Sequence, residues 1–427
     1  MTVTFNLAHR VGHFIIGSRA PRPGWLLALC SLWLVYLPAA SAVELSGQVD
    51  VRALREVGER SWIREGMGKT RYGGGSQLRL GQAILAAELE LGDAVTAVAV
   101  INAYEDRDQL LDVQEAWLGW NPVPVSQWKV RVKAGLFFPP LNQEQDYDQR
   151  TWLPARTISA SAVNSWVGEE MRSKGIEANL AYRGRASGSP HDLGVTAAAF
   201  NGNDPAGTLL AWRGWGVGDR ITGVSESIRL ADLPVYRADG PINLQTRDTH
   251  LFRELDGRAG YYVGVNYAYA GIVEVSAMHY DNRGDPLIVK AGQYSWGTRF
   301  NHAGMRLRTG QWEWMFQYLT GATAMGPRAA ALDFRAWYAL ASRRVGAGTL
   351  TVRHDRFRAI EDDVIATDPN GERGSALAIA YTLDLSDALS VVSEVLLLRS
   401  ERPARVLIGE TPDQTSRSIT TSLRWRF

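Results

Sequence analysis

Beyond Val43 one pattern recurs along the chain: short segments in which apolar and polar side chains alternate. The clearest is "SITTSLRWRF", Ser418 to Phe427. Ile419, Thr421, Leu423, Trp425 and Phe427 fall on one face, and Ser418, Thr420, Ser422, Arg424 and Arg426 on the other. A strand sends successive side chains to opposite faces, so this period-two pattern predicts a strand that is apolar on one side and polar on the other. Trp312, Trp314, Phe316 and Tyr318 repeat it, as do Trp128, Val130, Val132 and Ala134, and Tyr261, Val263, Val265, Tyr267 and Tyr269. Aromatics gather near segment ends, as membrane-interface girdles would. Two segments change phase, one near Gln82 to Ile84 and one near His302. A bulge would do this.

The alternation predicts strands near 44–54, 76–91, 94–104, 112–120, 127–136, 171–182, 192–200 and 259–269. A second set falls near 271–281, 294–308, 311–320, 332–344, 348–358, 374–384, 388–399 and 415–427. That is about 16 strands, an even number, as a bacterial single-chain barrel requires. A further hairpin near Gly223 to Leu233, within the long stretch 201–258, would raise the count to 18. Connections alternate between short turns and long polar loops, the layout of a transmembrane antiparallel β-barrel with periplasmic turns and extracellular loops. After Val43 no stretch approaches 18 apolar residues, which excludes helical spans. No blade-length repeat supports a soluble propeller.

The front of the chain reads differently. Residues 25–38, "WLLALCSLWLVYLP", are uninterruptedly apolar. Arg10, Arg19 and Arg22 precede them, no acidic residue occurs before Glu44, and Ala40 and Ala42 follow as a small-residue cleavage pattern. This predicts a secretory signal peptide over 1–42 and a barrel domain over 43–427. The only cysteine, Cys30, falls within the leader, so the mature chain has no disulfide framework. Without the three leader arginines, 43 basic residues stand against 45 acidic, a net of −2. That balance gives no case for nucleic acid as a partner.

The ending resembles the C-terminal signature of bacterial outer-membrane barrels: a terminal Phe427, with Trp425, Leu423 and Ile419 at alternate positions before it. In that family it is read as an assembly signal by the barrel-insertion machinery. The stretch from Glu115 to Arg183 is similar to the phosphate-selective porin group (porins O and P). "EAWLGWNPVP…WKVRVKAGLFFPPLNQEQ" matches a strand, a short turn and a basic strand, followed by a long loop and "RSKGIEANLAYR". The loop departs from that group in lacking lysine clusters. The resemblance implies an outer-membrane porin passing small hydrophilic solutes or ions, with membrane lipid around it, no cofactor, and the homotrimeric assembly common among porins.

In a porin, selectivity follows from the charges at the narrowest point. The candidate constriction is loop 137–170. It carries Glu144, Asp146, Asp148, Glu169 and Glu170 against Arg150 and Arg156, a net of −3. The flanking strands are basic, with Lys129, Arg131 and Lys133 before the loop and Arg172 and Lys174 after it. Alternation places Lys129, Arg131 and Lys133 away from lipid, where each cation would cost about 2–4 kcal/mol at the bilayer midplane. A basic wall facing an acidic loop would set a transverse field.

Two alternatives stand beside the porin. One is a non-conducting structural or ligand-binding barrel, plugged by 137–170 or 201–258. The other is a barrel hydrolase, although His191, His250, His279, His302 and His354 sit in no local catalytic or metal motif, so the chain is not expected to be an enzyme. Trp212 and Trp215 read either as a sugar platform or as packing anchors of the long loop.

Overall fold

The computed structural model describes residues 43–107, 109–145 and 153–427. The leader expected over 1–42, together with Asp146, Asp148 and Arg150, lies outside the described residues. The chain forms β1 (Val43–Val57), β2 (Gly75–Glu90), β3 (Val95–Ala103), β4 (Leu111–Trp120), β5 (Trp128–Phe137), β6 (Ser173–Arg183) and β7 (His191–Asn201). Two short pieces follow, β8 (Ile228–Arg229) and β9 (Asp248–Thr249), then β10 (Gly260–Tyr269) and β11 (Val273–Asp281). Another short pair, β12 (Val289–Lys290) and β13 (Gln293–Tyr294), precedes β14 (Gly297–Thr309), β15 (Trp312–Met325) and β16 (Ala330–Val345). The last strands are β17 (Gly348–Glu361), β18 (Glu372–Asp384), β19 (Leu389–Glu401) and β20 (Asp413–Arg426).

Sixteen of these close into one antiparallel barrel, while β8–β9 and β12–β13 are separate two-stranded ribbons. The expected hairpin near Gly223 to Leu233 is therefore no barrel hairpin: only Ile228–Arg229 is strand, and it pairs with Asp248–Thr249 inside the long loop. No helix among the described residues is long and apolar enough to cross a membrane.

Closure joins the first and last barrel strands. Val51 faces Leu423 and Val49 faces Trp425 in the β1–β20 register. Gly47 and Phe427 exchange backbone hydrogen bonds of 2.9 and 3.2 Å. The ring of Phe427 lies so close to Gly47 that a Cβ there would come 2.5 Å from it and 2.5 Å from the Ile84 carbonyl. Glycine at 47 is what lets the terminal ring lie flat on the seam.

The phase change near Gln82 is a bulge. Asp50 pairs with Gln82 and Val51 with Leu80, leaving Gly81 extra on β2. A Cβ on Gly81 would meet the Arg52 guanidinium at 2.3 Å, so the bulge sits where Arg52 turns inward. The change near His302 is not a bulge, because β14 keeps unbroken register with both neighbours. Its inward face carries Phe300 and His302, both buried, because the lumen beside them is filled with apolar side chains. A second bulge, between Val100 and Ile101 against β4, had no counterpart in the expected pattern.

The outward face behaves as expected. Ile419, Leu423 and Trp425 are exposed, while Ser422 and Arg424 on the same strand are buried. An aromatic girdle rings the short-turn end. Trp128 packs on Tyr182 at 5.3 Å, Trp312 on Trp314 at 5.1 Å and Trp425 on Phe427 at 4.8 Å.

Candidate functional site

The barrel interior is occupied by the two long loops. Loop 137–170 turns inward and carries the helix Ala162–Glu170, capped by Ser161, whose hydroxyl accepts the Asn164 amide. Every residue of that helix is buried. The wall that receives it is charged. Arg353 on β17 pairs with Glu144 at 3.0 Å and Asp355 at 2.9 Å. Ile158 and Ser159 donate their amides to Glu394 on β19, at 2.8 and 3.1 Å, and Ala162 donates to Asp355 at 3.1 Å. Arg424 donates to the Thr157 carbonyl at 3.0 Å. Arg353, Asp355, Glu394 and Arg424 thus each have a loop partner, as low-dielectric burial of a charge requires.

Loop 201–258 fills the space above and beside it. Asp219 pairs with Arg52 at 2.5 Å, the Trp215 amide donates to Glu372 at 2.8 Å, and Lys69 bridges Glu372 and the Arg213 carbonyl. The loops also grip each other. Glu170 accepts the amides of Gly207 and Leu209 at 2.9 and 2.8 Å, and Glu169 pairs with Arg213. Burial pushes the Glu170 carboxyl up to about 7. Trp166 of the first loop meets Trp215 of the second at 5.8 Å, and both contact inward Phe334, at 5.1 and 6.2 Å. The lumen, expected to be polar, has an apolar centre. Trp212 and Trp215 are buried within it, which removes them as a sugar platform and makes them packing anchors.

The expected selectivity residues separate into groups. Lys129, Arg131 and Lys133 stand on the inward face of β5 and keep contact with solvent. Arg131 reaches Asn179 at 3.1 Å and Lys133 pairs with Glu177 at 3.0 Å. Glu144 does not oppose them. It is buried against Arg353, so its charge is neutralised at the opposite wall. Arg156 is half-exposed and pairs with Glu313 near the short-turn rim of β15, at 3.0 Å. Arg172 is buried between the loops, 3.5 Å over the Phe138 ring and donating to the Thr222 carbonyl at 2.8 Å. Lys174 belongs to the outward set of β6, with exposed Ile176 and Leu180, and its Nζ donates to the Phe252 carbonyl at 2.6 Å. Contrary to the lumenal position expected from its charge, Lys174 shares the parity of the lipid-facing residues, and its long side chain carries the charge away from the apolar face.

Sequence reading missed Arg52, Arg353, Glu394 and Arg424 as docking groups. Each occupies a polar slot of a regular alternation, and nothing local tells a buried slot from a wet one. Among other clusters, Asp204, Glu254 and Asp256 bring carboxylate oxygens within 4.8 Å of one another. These accept backbone amides, including Asp256 and Gly202 at 3.2 and 2.9 Å, which accounts for the grouping. His191, His279 and His354 sit on the outward face, and His302 Nε2 lies 2.8 Å from Gln317 Nε2 in the lumen.

No family model and no curated protein matches the sequence. Solved structures do. The outer membrane channel DcaP of Acinetobacter baumannii superposes with TM-score 0.53 at 10% identity, over 91% of this chain and 98% of that one. A loop-deleted OmpT, an outer membrane protein of Vibrio cholerae, gives 0.52 at 10% identity, over 91% and 100%. A trimer form of OmpT gives 0.50 at 10% identity over the same shares. The fold is that of an outer-membrane β-barrel.

Proposed function

We propose that this chain is an outer-membrane porin whose lumen is narrowed by two inward loops to a polar path along β5 and β6, passing small hydrophilic solutes and favouring anions. The observation that carries this reading is the row Lys129, Arg131 and Lys133. Lys129 and Arg131 stay solvated and Lys133 stays partly so beside Glu177, while much of the wall across the lumen is covered by loop contacts. An unburied cationic row beside a low-dielectric wall raises the local anion concentration. The channel description of DcaP supports the same class, and the trimer form of OmpT makes a homotrimer the assembly to look for. Export to the outer membrane through a cleaved leader over 1–42 belongs to this proposal.

Planar-bilayer recording tests it. Purified protein should give discrete conductance steps, and K129Q/R131Q/K133Q should shift the reversal potential in a salt gradient toward cations. A conducting variant with unchanged selectivity would take this row out of the path. A silent wild-type protein would favour the second reading, a plugged barrel, for which the apolar contact of Trp166 and Trp215 with Phe334 speaks directly.

A further inference from the structure

The outer wall carries a feature that conduction does not use. At the loop end of β16 to β19, five outward arginines, Arg335, Arg356, Arg358, Arg373 and Arg399, surround a shallow depression of about 740 Å³. Two of their contacts are unfavourable by strand register. Arg335 pairs directly with Arg358, and Arg358 directly with Arg373. Like charges directly opposite on one face destabilise a sheet. Glu401 pairs with Arg373, and Asp413 lies at the same edge. Arg335, Arg356, Arg358 and Arg399 have no ion pair or side-chain hydrogen bond among the described residues.

Their depth matters. Arg373 lies eight residues along β18 from Tyr381, whose ring marks the short-turn girdle. At about 3.3 Å per residue and a tilt near 40°, that is roughly 20 Å of membrane thickness. Arg335, Arg358 and Arg373, in register with one another, therefore lie near the outer edge of an apolar band about 25 Å tall, and Arg356 and Arg399 lie two residues deeper, within reach of the headgroups by their long side chains. Trp337, one step below Arg335 on the same face, marks that boundary.

We propose that this arginine belt is a docking site for the phosphorylated headgroup of an outer-leaflet lipid. Bound phosphate would replace the Arg–Arg repulsion with charge-assisted hydrogen bonds, the interaction for which a guanidinium is best shaped. The inference rests on the membrane reading above but not on conduction.

The test uses the full barrel in detergent micelles, with native mass spectrometry reading lipid retention. The probes are a diphosphorylated lipid A, the same lipid stripped of phosphate, and inorganic phosphate as competitor. The diphosphorylated lipid should be retained in preference to the stripped one. R335Q/R358Q/R373Q should weaken retention by about 100-fold, since each cation near an anionic surface contributes about fivefold. R343Q, on the same wall at the opposite rim, should leave it unchanged. Equal retention of both lipids, or an unaffected triple variant, overturns the proposal. Displacement by millimolar inorganic phosphate overturns the lipid assignment. Should the triple variant fail to fold, judged by heat-modifiable migration, R358Q alone decides, since it sits in both Arg–Arg pairs. A silent channel with intact lipid retention would count against the porin reading only.

Discussion

At the scale of single residues, Glu170 is the group between the two inward loops that can make their docking depend on pH. Its carboxyl accepts the Gly207 and Leu209 amides and lies beside Arg213, yet burial outweighs them and lifts it from an ordinary 4.5 to about 7. A carboxyl raised on docking binds its proton more tightly when docked, so the docked form is most favoured below about pH 4.5. That advantage is lost as pH rises through about 7. Loop docking should therefore loosen between those values, read as a rise in single-channel noise or in protease cleavage within 137–170. E170Q, neutral throughout, should flatten this dependence. A wild-type profile that is level from pH 4.5 to 7.5 would remove Glu170 as the controlling group. The sequence placed Glu169 and Glu170 in an acidic loop folded into the pore, but nothing in it showed them buried away from water. Their burial depends on 201–258 folding over them, a contact between segments distant along the chain.

At the scale of elements, strands were legible and their lumen-side environment was not. All sixteen barrel strands coincide with alternating segments, because the lipid-facing half of the pattern obeys one rule: apolar side chains outward. The bulge at Gly81 was visible as a phase change for the same reason. Beside His302 the pattern misled, since Phe300 and Phe334 point inward against Trp166, and an apolar inward residue is indistinguishable from a shifted outward one. The seam offers the sharpest test at this scale. Phe427 adds its backbone to the β1 edge through Gly47 and covers that glycine with its ring. An open edge strand leaves unpaired amides in a membrane, where none can be satisfied. Deleting Phe427 should lower the yield of heat-modifiable barrel while leaving the selectivity of assembled protein unchanged. A G47L variant, which the ring cannot accommodate, should reproduce the defect. Normal assembly of both would assign the terminal ring no part in closure.

At the scale of the whole molecule, the barrel wall and its filling are held by different physics. Sixteen strands close through backbone hydrogen bonds that owe nothing to the loops. The filling is held by an apolar centre on Trp166 and Trp215 and by a ring of buried ion pairs to Arg52, Arg353 and Glu372. Replacing residues 205–222 with a short Gly/Ser linker would remove Trp212, Trp215 and Asp219 together. Conductance should rise, because the wall persists while much of the lumen is vacated. The thermal midpoint should fall for two reasons. Phe357 would lose its Trp215 neighbour and Phe334 would keep only Trp166, so part of the burial of each ring, worth about 1.5–3 kcal/mol when complete, would be lost. Arg52 would also keep only Asp50 as its buried ionic partner, and breaking buried pairs of this kind typically costs about 3–5 kcal/mol. Both changes are expected in one variant, measured by bilayer recording and by thermal migration shift. A lowered midpoint with unchanged conductance would show that 201–258 stabilises the barrel without narrowing it, and the restriction would then belong to 137–170 alone.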